Sequence, residues 1–563
     1  MKFTEFTYTR PDVELAKKTI LELIEELKTA PSAQAQLEIF AKINKERNTL
    51  QTMNQVTSIR YTIDTRDEFY DAENTFWDEM KPYLDELNVE LYKALLDSPY
   101  QKELEATIGT QFFSMAKLSL KTFSKDVIED LQEENRLASS YQKLLANAKI
   151  TFKDEEFSIP GIGKYLLDEN QEIRKTAHEA KFKWFAENEA TIDEIYDNLV
   201  KVRTKIAHKL GFKNFVELGY VRMMRTDYNA QMVEVFRKQV LEFITPAATN
   251  LYKVQQERLG FEKLAYYDEK FEYLTGNATP KGSPEWILEQ GEKMYTQMSP
   301  ETKEFFDFMV ENDLLDLVNK DGKAGGGYCT FIPDMKAPYI FSNFNGTMGD
   351  IDVLTHEAGH AFQVYESRHI DTIELNFPTF EACEIHSMSM EFFAWPWMEE
   401  FFKEEVGKYK YSHLASAITF IPYGVTVDAF QHFVYENPNA TPEERKTAWR
   451  NLEKQYLPHK DYEGCEILEK GAWWFQQGHI FMSPFYYIDY TLAQICALQF
   501  WKRMHENVDE AWADYLKICQ IGGTKSFLEI VEYANLNSPF EEGTVASVIG
   551  EITDWLRKNQ NVE

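Results

Sequence analysis

A helical period runs through almost the whole of this 563-residue chain and gives way to β-rich texture at one place, just ahead of its most distinctive motif. In PDVELAKKTILELIEELKTA, which opens at Pro11, the apolar residues Leu15, Ile20, Leu21, Leu23, Ile24 and Leu27 recur near every 3.6 residues, and Pro11 suits a first helical turn. The same amphipathic style returns over 62–95, 124–146, 169–210 and 228–259. Between Asp321 and Gly349 the sequence DGKAGGGYCTFIPDMKAPYIFSNFNGTMG is rich in glycine, aromatics and β-branched residues, which predicts strands near Tyr328–Ile332 and Tyr339–Phe344. After Gly349 helix resumes nearly to the end. The pattern predicts a mainly α, two-lobed protein with a small β insert. SIPGIGKYL, where two glycines follow Pro160, predicts a boundary between a helical lobe over 1–160 and the remaining 161–563.

Composition narrows the function classes. With 60 basic and 92 acidic side chains, the formal charge of −32 opposes binding to nucleic acid, whose affinity comes mainly from basic groups that displace counterions. Five scattered cysteines form neither a disulfide framework nor a paired-cysteine metal site, and point to a reducing compartment. The first residues hold no apolar signal core, and no uncharged run approaches the roughly 20 residues a bilayer span needs. The expectation is a cytoplasmic protein that engages neither nucleic acid nor membrane.

Residues 351–365, IDVLTHEAGHAFQVY, contain His356-Glu357-Ala358-Gly359-His360. On a helix, residues i and i+4 stand one turn apart on one face, so two imidazoles reach one tetrahedral zinc while the intervening glutamate turns toward its open position. A catalytic zinc takes a third protein ligand. Downstream, TFEACEIHSMSMEFFAW predicts a helix over Thr379–Trp395, with Thr379 as N-cap and Pro396 as stop. Glu381, Glu384 and Glu391 fall near one face beside Met388 and Phe392, and a cation facing that stripe explains carboxylates on a half-buried surface. His386, two residues from Glu384, lies about 200° away around the helix and is a poor rival.

HEAGHAF at 356–362, followed by EIHSMSMEFF from Glu384, resembles the M3 family of zinc metallopeptidases, the thimet oligopeptidase family, and within it the bacterial oligoendopeptidase F and Pz-peptidase group. The likeness is motif-deep from about Gly325 to Tyr490, extends by helical texture over 161–563, and reaches the first 160 residues only in their being helical. It implies Glu384 as the third zinc ligand, the opening residue of E-x-x-S-x-x-x-E, with Ser387 and Glu391 in register and Glu381 out of it. It also implies a substrate-facing histidine with tyrosines, here His479 with Tyr486, Tyr487 and Tyr490. Helical spacing pairs Tyr486 with Tyr490, and these two are preferred. The glycine-rich stretch that the family carries between histidine and tyrosines is here Phe481, Met482, Ser483 and Pro484.

The stretch Gly325-Gly326-Gly327-Tyr328 lacks the Gly-Lys-Ser/Thr ending of a phosphate loop. Its small residues suit either a tight hairpin or an edge on which an extended peptide pairs its backbone, with Gly326, Gly327 and Tyr328 as contacts. The expectation is a zinc endopeptidase of short peptides, with one Zn²⁺ per chain on His356, His360 and Glu384. Glu357 is its general base, and His479 with Tyr486 or Tyr490 stabilises the oxyanion. The resemblance adds a deep channel that excludes folded proteins. The alternative is a zinc carboxypeptidase of similar build, which needs a cation for the substrate's terminal carboxylate.

Overall fold

The computed structural model of the chain describes residues 2–320 and 322–562; Asp321, first residue of the expected β insert, lies outside the described residues. Helix accounts for 69 % of the residues and strand for 4 %, as the periodicity predicts. The chain divides into two compact units, each assembled from distant stretches: 1–120, 278–406 and 496–536 in the first, and 121–277, 407–495 and 537–563 in the second. Residue 160 therefore lies inside the second unit. Among the described residues there are five short strands: β1 (Ile150–Phe152), β2 (Glu155–Phe157), β3 (Leu315–Val318), β4 (Tyr328–Ile332) and β5 (Ala337–Phe344). No helix among the described residues is long and apolar enough to cross a membrane.

In the first unit, Asp12, Ser32 and Asp67 cap the helices Val13–Thr29, Ala33–Ile63 and Glu68–Leu96, each side chain accepting from a first-turn N–H, at about 1 kcal/mol apiece. Pro11 thus precedes the cap instead of entering the first turn. Ile20, Ile24 and Leu27 are buried in a core with Phe40, Trp77, Leu91 and Phe112. Leu15 and Leu21, expected on the same stripe, are 59 % and 38 % exposed, because steps of about 100° per residue carry them off the face that 20, 24 and 27 share.

The three-stranded sheet has the order β3-β5-β4. β4 runs antiparallel to β5, with Tyr328 opposite Phe341 and Ile332 opposite Ala337, while β3 joins β5 in parallel. β5 is central and nearly all buried, and β4 is an edge. The helix Gly349–Glu366, which carries HEAGH, packs on β4 and β5 and along the helix Phe380–Phe393. Gly359 permits that approach: a Cβ there would stand 2.7 Å from both the His386 carbonyl oxygen and Ser387 Cα.

In the second unit the helix Ile128–Ala146 packs along Glu189–Lys209. The β1–β2 hairpin turns at Lys153 and Asp154, both at positive φ. Ahead of the helix Tyr487–Glu506, Phe485 adopts φ +69°. Its N–H donates to Gln431 Oε1 (2.9 Å) and its carbonyl accepts from Arg225 (2.5 Å). Arg225 also pairs with Asp489 at 2.8 Å, both side chains being fully buried. Removing one partner of such a pair costs about 3–5 kcal/mol because the other charge is stranded. The Phe485 ring fills the space that a Cβ on Gly219 would enter, at 2.4 Å, so the start of this tyrosine-bearing helix is held from several sides.

Candidate active site

The HEAGH helix and its neighbour Phe380–Phe393 bring three donor atoms together. His356 Nε2 and His360 Nε2 lie 3.3 and 3.5 Å from Glu384 Oε2, and among the described residues His356, His360 and Glu384 form a group suited to a metal ion. Ligands about 2.0–2.1 Å from one tetrahedral ion stand roughly 3.3 Å apart, so the donors have both the spacing and the chemistry that zinc takes. Ser387 Oγ donates to Glu384 Oε2 at 2.9 Å and fixes the carboxylate. His356 Nδ1 donates to Glu391 Oε1 at 2.7 Å, and because a carboxylate only accepts, this bond holds the proton on Nδ1 and frees Nε2 for a metal.

Electrostatics are those of a cation site. Burial pushes the Glu384 carboxyl up, but the His360 and His356 rings more than offset this and hold it well below the usual carboxylate range. Burial opposes a proton on His356, yet Glu384 and Glu391 raise its pKa well above that of free imidazole. Protons and a metal ion thus compete for one place. Glu357 is 8 % exposed; burial raises its carboxyl pKa, against the lowering effect of His356 and His360.

Glu381 is buried on the same helix but does not join the three donors. His386 is fully buried and its Nδ1 faces the Ala382 carbonyl at 2.8 Å. The helix itself spans Phe380–Phe393 with Thr379 at the N-cap position, whose side chain makes no cap hydrogen bond.

Gly326 lies at φ +91°, and its carbonyl accepts from Asn343 Nδ2 at 2.8 Å. A Cβ on Gly327 would sit 3.1 Å from Val353 Cγ1 and 3.5 Å from Glu357 Oε1, so this glycine keeps the space beside Glu357 clear. Tyr328 stacks on Phe341 (centroids 4.8 Å apart) and its hydroxyl meets Thr62 Oγ1 at 2.7 Å.

Within the second unit, His479 meets Tyr486, Tyr487 and Tyr490 at centroid distances of 5.8, 5.0 and 6.0 Å. Tyr486 and Tyr490 face each other at 4.9 Å, although Tyr486 precedes the helix Tyr487–Glu506 instead of lying in it. Tyr487 also contacts Phe420 and Tyr423, each at 5.8 Å. All three tyrosines are half-buried. The sequence places Glu391 in register seven residues after Glu384 but does not by itself assign it as the partner of His356.

Residues 3–123 match the family model of the peptidase M3 N-terminal domain, and 165–548 match that of peptidase family M3. The N-terminal likeness is therefore more than helical texture. The solved structure of Pz peptidase A with an inhibitor is 57 % identical, covers 100 % of both chains and superposes with a TM-score of 0.94. A Borreliella burgdorferi protein named oligoendopeptidase F homolog is 25 % identical over 452 residues, 76 % of this chain and 74 % of its own. Three donors at metal-binding distance fit many hydrolases, but a family match over most of the sequence, joined to a relative alike from end to end, leaves one assignment: the chain belongs to peptidase family M3 and is a metallopeptidase.

Proposed function

We propose that this protein is a zinc-dependent endopeptidase that hydrolyses internal bonds of short peptides, with His356, His360 and Glu384 holding one Zn²⁺ per chain. The observation that carries the reading is the separation of 3.3 and 3.5 Å between the two imidazole nitrogens and Glu384 Oε2. A bound zinc supplies Lewis acidity, polarising the scissile carbonyl and bringing the pKa of water at the site toward about 7. Glu357 accepts a proton from the attacking water and delivers it to the departing amine, so that a C–O bond replaces the C–N bond. Its burial raises the carboxyl pKa, which favours taking up a proton. His479 with Tyr486 or Tyr490 donates to the oxygen on which negative charge develops.

Substrate backbone pairs with the β4 edge, where Gly326, Gly327 and Tyr328 receive it, a mode that tolerates varied side chains. We place the protein in the cytoplasm, which its five free thiols support. The names of its relatives support oligopeptides as substrates.

Incubating the enzyme with a short peptide, the same peptide C-terminally amidated, the unfolded full-length parent and the folded parent tests this reading. Cleavage of both short peptides at internal bonds, with little attack on either full-length form, is expected. Removal of single residues from the free C-terminus alone would assign a carboxypeptidase instead.

A further inference from the structure

His479 is held by a chain of side chains that the peptidase reading does not use. Gln477 Nε2 lies 2.9 Å from His479 Nδ1, and the Tyr423 hydroxyl donates to Gln477 Oε1 at 2.7 Å. These three residues belong to the second unit.

The direction of the chain follows from what each group is able to do. The Tyr423 hydroxyl donates to a carbonyl-type oxygen, which only accepts. That acceptor is the amide oxygen of Gln477, which turns the amide nitrogen toward His479. An amide nitrogen donates and does not accept, so Nδ1 of His479 accepts and carries no proton. Burial lowers the His479 pKa, which favours the neutral ring. A neutral imidazole with a bare Nδ1 has its proton on Nε2.

We infer that Gln477 and Tyr423 are positioning residues that fix His479 in the Nε2–H tautomer, so that the ring presents a donor, and not a lone pair, to the reacting carbonyl. The inference rests on the reading of His479 as a donor to the developing oxyanion. Tautomer control of this kind matters because a ring with its proton on the wrong nitrogen offers a lone pair where negative charge builds, and so destabilises the transition state. The backbone of Gln477 is tied independently, its N–H to the Trp474 carbonyl at 2.9 Å and its carbonyl to the Ile480 N–H at 3.1 Å, so changes of the side chain leave those bonds in place.

The test uses full-length, zinc-loaded enzyme labelled with ¹⁵N-histidine, in which long-range ¹H–¹⁵N spectra report which ring nitrogen is protonated. The His479 signals are those lost in H479F. In the parent, Nε2 is expected to carry the proton. Gln477→Glu offers only an acceptor and is expected to draw the proton to Nδ1, lowering kcat on the order of 10²-fold, the effect of losing one oxyanion donor, with KM within about twofold. Tyr423→Phe frees the amide to turn and is expected to give a mixture of tautomers, which keeps the idea testable if the Gln477 variant folds poorly. A parent with Nδ1 protonated, or a Gln477→Glu enzyme with the parental tautomer, overturns the inference. Parental kcat in H479F would instead refute the oxyanion role of His479, while the tautomer result stands by itself.

Discussion

Replacing Gly359 by alanine adds one methyl group at the closest approach of the two helices that carry the metal donors. That Cβ would stand 2.7 Å from the His386 carbonyl oxygen, 2.7 Å from Ser387 Cα and 3.0 Å from Met390 Cβ. Two of the three neighbours are backbone atoms and cannot swing aside. Non-bonded heavy atoms prefer about 3.5 Å or more, so the helices must separate by roughly 0.8 Å. His356 and His360 ride on one helix and Glu384 on the other, and the same displacement opens their separations of 3.3 and 3.5 Å to about 4 Å, beyond the roughly 3.3 Å that a tetrahedral zinc spans. Overpacking costs about 1–3 kcal/mol, and misplaced ligands are expected to weaken zinc binding by about 10–100-fold, as disturbed supporting contacts do. Competition with a chromogenic chelator measures the affinity, and thermal unfolding measures the stability. Gly291→Ala is the control, because its nearest contact would be an ordinary 3.4 Å to Leu354 Cδ2; it should keep parental zinc affinity. A Gly359→Ala protein with parental zinc affinity and unchanged unfolding would refute the claim that helix spacing sets the donor geometry.

Three other outcomes follow from the same contacts. Glu391→Gln removes the carboxylate that accepts from His356 Nδ1 at 2.7 Å, and zinc affinity should fall about 10–100-fold in the chelator assay with the fold intact. Glu384→Ala should come through dialysis against a weak chelator without zinc, while Glu381→Ala keeps it; the reverse pattern would move the third ligand to Glu381. Tyr486→Phe and Tyr490→Phe should lower kcat far more than they change KM, since the hydroxyl acts only as the oxyanion forms; loss of kcat in Tyr487→Phe alone would choose the other face.

Local patterns in the sequence foretold much of this arrangement, and long-range packing the rest. The i, i+4 histidines and the run ending at Pro396 predict both helices that carry His356, His360 and Glu384, and β4 forms over the residues expected, Tyr328–Ile332. β3 escapes notice because Leu315–Val318 is four residues long, half-buried and strand-like only through pairing with β5. The β1–β2 hairpin escapes because Glu155 and Glu156 disfavour strand and its turn is Lys153-Asp154, not an Asn-Gly pair. A boundary near 160 is what composition suggests, but the compact units are closed by segments hundreds of residues apart, which no local pattern encodes. The bond between Glu391 and His356 and the Tyr423–Gln477–His479 chain belong to the same class: each partner is an ordinary residue until the fold sets it beside a histidine.

The central claim, that Glu357 moves the proton at a zinc ion held by His356, His360 and Glu384, is tested most directly by Glu357→Gln. The substitution keeps the shape of the side chain and removes its basicity. Zinc per chain, measured by elemental analysis, and turnover of an internally cleaved peptide are read on the same preparation. The account predicts about one zinc per chain in both proteins and a fall in kcat of at least about 10²-fold in the variant. Near-parental turnover in a zinc-replete Glu357→Gln protein would contradict it.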